Sequence, residues 1–261
     1  MADIKDFLNL ALDAAHQAGK IQKRGFGKKL QINFKGPKDP VTEIDHQCEE
    51  KIFNLIKKAF PSHNIIAEEG SLHQTTSPFR WIIDPLDGTT NYSHAYPFFC
   101  VSIALEENNR IVMGVVYNPM LEELFLAIRD EGAKLNGNPI HVSETHDLDH
   151  ALIATGRLTK NPKKTDLHFD QFRQLSIMAQ GTRRDGSAVL DLCYVATGRF
   201  DGFWEFGLKP WDTAAGSIIV QEAGGEITTF TGSPFSPFGS EALASNGILH
   251  KSIMENLSAT L

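Results

Sequence analysis

The chain has 261 residues, of which 41% are hydrophobic and 22% charged, with a formal net charge of −7. That is the composition of an ordinary globular protein, long enough for one large domain or two small ones with a real core. The acidic balance excludes a general electrostatic attraction to nucleic acid or an anionic membrane.

Residues 3–24 carry Ile4, Phe7, Leu8, Ala11, Ala14, Ala15, Ala18 and Ile21 at three- and four-residue spacing, which predicts an amphipathic helix ended by Gly25 and Gly27. The passage from Lys28 to Pro40 reads as a hairpin or a mobile loop, with Pro37, Asp39 and Pro40 as turn residues. Thr42 caps a second helix that stops before Pro61, with Asp45 in its first turn. Asn64–Ala67 is a short strand that runs into Glu68-Glu69-Gly70, followed by a polar loop from Ser71 to Ser77. Trp81-Ile82-Ile83 is an apolar strand expected to break at Asp84-Pro85, with Asp87, Gly88, Thr89 and Thr90 next. Phe98–Glu107 and Arg110–Tyr117 read as strands joined by a hairpin at Asn108-Asn109. Glu122–Ile128 is a further strand and Gly132–Gly137 a turn.

This first half is α+β in style, and the polar stretch His141–His150 is the expected boundary. Beyond it, strands (Ala151–Ala154, Phe200–Phe206, Gly225–Thr229, Ala242–Ala244) alternate with helices (Asp166–Ala179, Ser187–Thr197, Thr213–Glu222, Ile248–Leu257). Alternation of this kind predicts an α/β half. Cys48, Cys100 and Cys193 lie far apart with no CxxC pair, so buried reduced thiols are expected rather than disulfides or a zinc knuckle. The start Met-Ala-Asp-Ile-Lys-Asp has no apolar signal core and no apolar run is long enough for a membrane span, so a cytoplasmic protein is expected.

Four carboxylates fall where regular elements begin or end. Glu68 follows one strand, Asp84 and Asp87 follow another, and Asp212 opens a helix. Two like charges about 4 Å apart repel by roughly 4 kcal/mol at an effective dielectric of 20, so a cation is expected among them. Taken singly, Asp84-Pro85 reads as a turn, Asp212 as a helix cap and Glu68 as a loop acid. Together they point to a site for a hard cation, Mg²⁺ or Mn²⁺. Gly88, Thr89 and Thr90 add small residues whose N–H groups can approach an anion, which suits a phosphate held against cations. The spacing from Asp84 fails the EF-hand pattern, and Asp-x-x-Asp is not the Asp-x-Asp of haloacid dehalogenase phosphatases. P-loop, GxSxG and HExxH motifs are absent.

Asp84-Pro85-Leu86-Asp87-Gly88-Thr89-Thr90-Asn91 and Trp211-Asp212-Thr213-Ala214-Ala215-Gly216 resemble the two signatures of the inositol monophosphatase family. The likeness covers nearly the whole chain and is nearest the bacterial branch. Departures from the family pattern, at Gly70, Tyr92 and Thr229, touch no metal position. The resemblance implies a layered αβαβα sandwich of the inositol monophosphatase and fructose-1,6-bisphosphatase type, a homodimer, and lithium-sensitive hydrolysis of a phosphomonoester with two or three Mg²⁺ ions. It implies metal binding by Glu68, Asp84, Asp87, Asp212 and the Leu86 carbonyl. Asp45 and Thr89 match the pair that activates the attacking water, beside the metal that Glu68 helps to hold. Gly186, Ser187, Ala188 and Glu205 match the alcohol side of the substrate pocket, bordered by Asp87 and Asp212.

The expected division is residues 1–141, carrying Asp45, Glu68, Asp84, Asp87 and Thr89, and residues 142–261, carrying Glu205 and Asp212, with the active site between them. Thr90-Asn91 stands as in inositol enzymes, where adenosine bisphosphate phosphatases tend to have Lys-Glu and histidinol phosphatases Arg-Ser. Inositol monophosphate is therefore the first substrate expected, a broader sugar-phosphatase activity that includes fructose 1,6-bisphosphate the second. Some bacterial relatives are implicated in RNA-processing or transcription complexes, so a further binding role is a third reading. The intact set of acids argues against its replacing catalysis.

Overall fold

The computed structural model describes residues 3–36, 39–156 and 162–258. Helix α1 spans Ile4–Gly25, and its apolar stripe is buried from Phe7 to Ala18. The next segment is a hairpin rather than a loop, β1 (Ile32–Gly36) against β2 (Asp39–Thr42); Pro37 lies outside the described residues. Helix α2 (Glu43–Ala59) starts with a capping box in which the Thr42 N–H donates to Asp45 Oδ2 at 2.8 Å. Strand β3 (Asn64–Ala67) is followed by β4 (Leu72–His73), a short strand inside the expected polar loop.

Strand β5 runs from Phe79 to Asp87 and does not break at Asp84-Pro85. Its register against the next strand shifts between Asp84 and Asp87, which is where a strand tolerates a proline that cannot donate to the ladder. The short helix α3 (Thr89–Ser93) leads to a meander of β6 (Cys100–Glu107), β7 (Arg110–Asn118), β8 (Glu123–Ile128), β9 (Ala133–Leu135) and β10 (Asn138–Pro139). Asn108 and Asn109 both have positive φ, as a two-residue hairpin turn requires. Strand β9 occupies half of the expected Gly132–Gly137 turn and pairs with both β8 and β10. The eight strands lie in the order β10-β9-β8-β7-β6-β5-β3-β4.

The second sheet holds β11 (Leu152–Thr155), β12 (Gly181–Arg183), β13 (Gly202–Phe206), β14 (Glu226–Thr228) and β15 (Glu241–Ser245), in the order β12-β11-β13-β15-β14. Helices α4 (Pro162–Met178), α5 (Ala188–Ala196), α6 (Pro210–Glu222) and α7 (His250–Ser258) accompany it. Helix α6 begins three residues before the expected Thr213, because Pro210 is preorganised for a first helical turn.

Alternating side chains separate the layers. Trp81 and Ile83 of β5 pack against α1 and α2 with Phe7, Ile44 and Ile52. Ile82, between them, faces the other way and joins Val189, Leu190, Ile218 and Ile219 of α5 and α6. Those two helices also pack on Phe203, Ala242 and Ala244 of the second sheet. Trp204 and Leu243, on the opposite face of that sheet, meet Leu175 of α4 and Ile253 of α7. The layers are therefore α1 and α2, the eight-stranded sheet, α5 and α6, the five-stranded sheet, then α4 and α7, an αβαβα sandwich. Burying sheets on both faces explains why β5, β6 and β13 are buried in unbroken runs rather than in alternation. All three cysteines are buried and unpaired.

Candidate active site

Four acids from distant parts of the chain line one cavity of about 580 Å³. Glu68 comes from the turn after β3, Asp84 and Asp87 from the end of β5, and Asp212 from the first turn of α6. Thr89, Thr90, the Leu86 backbone, Gly186, Ser187, Ala188 and Glu205 line the same space. Asp45 is fully buried behind it and reaches it through Thr89, whose Oγ1 lies 2.8 Å from Asp45 Oδ1 and 3.0 Å from the Leu86 carbonyl. The residues expected to bind metal, substrate or water thus line this cavity, except Asp45, which touches Thr89.

The acids are held by the backbone. Asp84 Oδ1 accepts the Leu86 N–H at 2.9 Å across the bulge. Asp87 Oδ2 accepts the Ser187 hydroxyl and, at 2.9 Å, the Val189 N–H at the start of α5. Asp212 is the third residue of α6 rather than its cap, and its Oδ2 reaches back to the Lys209 N–H at 2.7 Å. Negative charge in the first turn of a helix is also favoured by the aligned peptide dipoles. These three carboxylates are fixed before any ligand arrives.

Holding acids together and dry raises their pKa values. Burial, then the charges of Glu68, Asp87 and Asp212, puts the Asp84 carboxyl well above the usual carboxylate range. Burial pushes Asp87 up to about 6. Burial, followed by the charge of Asp87, raises Asp212 strongly. Glu68 and Asp45 are also raised by burial, against opposing help from Lys35 for Glu68 and from Thr42 and Thr89 for Asp45.

Lys35 of β1 was not singled out in the sequence. Its ammonium lies 2.7 Å from Glu68 Oε1 and 2.7 Å from Glu69 Oε1. A cation thus already rests on the acidic pair, and this ammonium makes no ion pair with Asp84, Asp87 or Asp212. A buried, all-oxygen and largely anionic donor set fits a hard divalent cation. Glu68, Asp84, Asp87, Asp212 and the Leu86 carbonyl are the residues that could hold it.

Glu49 was also missed. It lies one helical turn after Asp45 on α2, and both its carboxylate oxygens accept backbone N–H groups, from Glu69 at 2.7 Å and Ser71 at 2.8 Å. One face of α2 therefore orients Thr89 and pins the turn that presents Glu68. The i, i+4 spacing of Asp45 and Glu49 was the available signal. Two glycines shape the rest. Gly88 has φ +97 and its missing Cβ would lie 3.0 Å from the Phe98 carbonyl. Gly156 has no side chain where the Glu205 carboxylate lies, since a Cβ there would overlap it.

The family profile described as "Inositol monophosphatase family" matches residues 3–261. A relative from Synechocystis sp. named inositol-1-monophosphatase is 46% identical, over 99% of this chain and 91% of its own length. A Pasteurella multocida relative named Nus factor SuhB is 45% identical over 86% of this chain and 85% of its own. The crystal structure of the extragenic suppressor protein SuhB from Bartonella henselae superposes with a TM-score of 0.94 at 40% identity, covering 98% of this chain and 100% of that one. With the sandwich and the acid cavity already in place, these matches show that the chain belongs to the inositol monophosphatase family.

Proposed function

We propose that this chain, a phosphoric monoester hydrolase by family, acts on inositol monophosphate with Mg²⁺. The observation that carries the reading is the meeting of Glu68, Asp84, Asp87 and Asp212 in one cavity beside the Thr89–Asp45 hydrogen bond. Glu68, Asp84, Asp87, Asp212 and the Leu86 carbonyl would hold the Mg²⁺. Mg²⁺ bound there would neutralise phosphate oxygens, lower the pKa of a coordinated water and stabilise the leaving alkoxide.

The chain's own residues do the rest. The Thr89 hydroxyl, directed at Asp45 Oδ1, takes a proton from the attacking water as it passes its own hydrogen to Asp45. Burial of Asp45 raises its pKa and so favours its accepting that proton. The N–H groups near Gly88, Thr89 and Thr90 hold the phosphate. Glu205 accepts a hydroxyl of the alcohol, and Gly186, Ser187 and Ala188 leave room for its ring. Phosphate release from inositol 1-phosphate, fructose 1,6-bisphosphate, histidinol phosphate and adenosine bisphosphate, each with Mg²⁺, tests this. Fastest release from the first is the expected result. Faster release from fructose 1,6-bisphosphate would favour the broader sugar phosphatase, and no release from any would end the hydrolase reading.

Lithium inhibition, a homodimer and a cytoplasmic location belong to the same reading. No helix among the described residues is long and apolar enough to cross a membrane. The relative named Nus factor SuhB motivates a second reading, an added role in a transcription complex. A binding role of that kind should survive Asp84→Asn in a pull-down, whereas turnover should not.

A further inference from the structure

A second cavity, of about 410 Å³, lies at the opposite ends of two elements that build the first. Strand β5 reaches it at Arg80, before running on to Asp84 and Asp87. Helix α6 reaches it at Ser217 and Gln221, after starting at the Asp212 end. Arg110 at the start of β7, Arg129 just after β8, and Phe235 and Phe238 between β14 and β15 complete the walls.

The lining carries three guanidinium groups and one carboxylate, in a chain whose net charge is −7. That carboxylate, Glu106, is already paired with Arg80 at 2.8 Å. Arg129 is anchored through Nε to the Ile111 carbonyl at 2.7 Å and through Nη2 to Gln221 at 3.5 Å, with no carboxylate in ion-pair contact among the described residues. Glu222, the acid of α6 that acts on Arg129, has its two oxygens on the N–H groups of Asp130 and Gly132. Arg110 makes no side-chain hydrogen bond or ion pair among the described residues. Burial and then the charge of Arg110 lower the Arg129 pKa, against weaker help from Glu222 and Asp130, so the two cations repel.

We propose that this rear cavity binds a small oxyanion, a phosphate or carboxylate group carried on an apolar body. A guanidinium matches either group with two parallel N–H donors, and a second one alongside completes the neutralisation. The Phe238 ring, with the Arg80 guanidinium 5.4 Å from its centre, and Phe235 supply an apolar wall for the rest of the ligand. The volume lies in the range of small-molecule sites.

The test is calorimetric titration with inorganic phosphate in metal-free buffer containing EDTA. Without cations the acids of the front cavity repel an anion, so that cavity stays out of the measurement. One equivalent of phosphate should bind, with affinity reduced about 10-fold or more in Arg110→Ala, as expected for a lost charged hydrogen bond. Arg110→Glu should abolish binding, and Asp84→Asn should leave it intact. Arg110 is exposed on a hairpin, so both of its variants should fold. Phenylphosphonate and benzoate should bind more tightly than phosphate and acetate respectively, and the tighter of the two identifies the head group. Absence of saturable binding, binding untouched in Arg110→Glu, or binding lost in Asp84→Asn would overturn the proposal.

Discussion

The two ends of β5 and α6 carry opposite charge: acids line the cavity at one end, arginines the cavity at the other. Both ends gather like charges without enough counter-charge, and both are therefore poised for a ligand of the other sign. They differ in stiffness. Asp84, Asp87 and Asp212 are short and each is hydrogen-bonded to nearby backbone, so their oxygens are fixed in place. Arg80 and Arg110 reach their cavity on long side chains, and only Arg129 is tied to a backbone carbonyl. Chemistry needs positions set to within a fraction of an ångström, whereas binding a charged group needs mainly charge and access.

The largest effect is expected where the front end is broken. Asp84→Asn keeps shape and removes the central charge; Mg²⁺-dependent phosphate release should fall by about 1000-fold. Near-normal turnover in that variant would show that Asp84 does not hold the cation. Thr89→Ala should lower kcat by about 100-fold while Mn²⁺ binding, followed by electron paramagnetic resonance, stays intact. An equal loss of metal binding would reassign Thr89 to the metal site. Glu49→Gln should weaken Mn²⁺ binding by about 10-fold, because the turn carrying Glu68 loses a charged anchor. If only the melting temperature moved, Glu49 would be a structural residue and no more.

The pH dependence of the metal-free protein sharpens the contrast further. Asp87 is held up at about 6 and Glu69 at about 7, both first by burial. An acid whose folded pKa is raised binds more protons folded than unfolded, between the ordinary carboxylate range and the raised value. Stability is then greatest at the acid side of that window and falls as pH rises through 6 to 7. The metal-free melting temperature should drop by about 5 °C between pH 5.5 and 7.5, and saturating Mg²⁺ should remove the drop. A rise over the same interval would mean that the acids do not repel. The smallest effect belongs to the rear: Arg110→Ala should leave turnover unchanged and shift stability by no more than about 0.5 kcal/mol.

Glu68, Asp84, Asp87, Asp212 and the small residues Gly88 to Thr90 are legible from local signals, whereas Asp45, Glu205 and Gly186 to Ala188 become site residues only through the family resemblance. Asp84, Asp87 and Thr89 sit in one short stretch, and Asp212 opens a helix. Lys35 and Glu49 were not legible as site residues, because each acts on a turn that is distant in sequence. The rear cavity was hidden for the same reason. Its arginines come from three different strand ends, and alone each reads as a solvated charge.

The strand through Pro85 shows where local reading stops. Asp-Pro looks like a chain break, yet β6 pairs on both sides of it and the register shift absorbs the residue that cannot donate. By itself, the sequence determined the alternation and periodicity that make these helices and strands, and the residue types that suit a hard cation and a phosphate. Tertiary structure alone decided which oxygen of Asp84, Asp87 and Asp212 is held by backbone, and that Asp87 rests on the first turn of a helix 102 residues away. The reason is physical: secondary structure follows from neighbours along the chain, whereas charge repulsion, burial and strand register depend on neighbours in space.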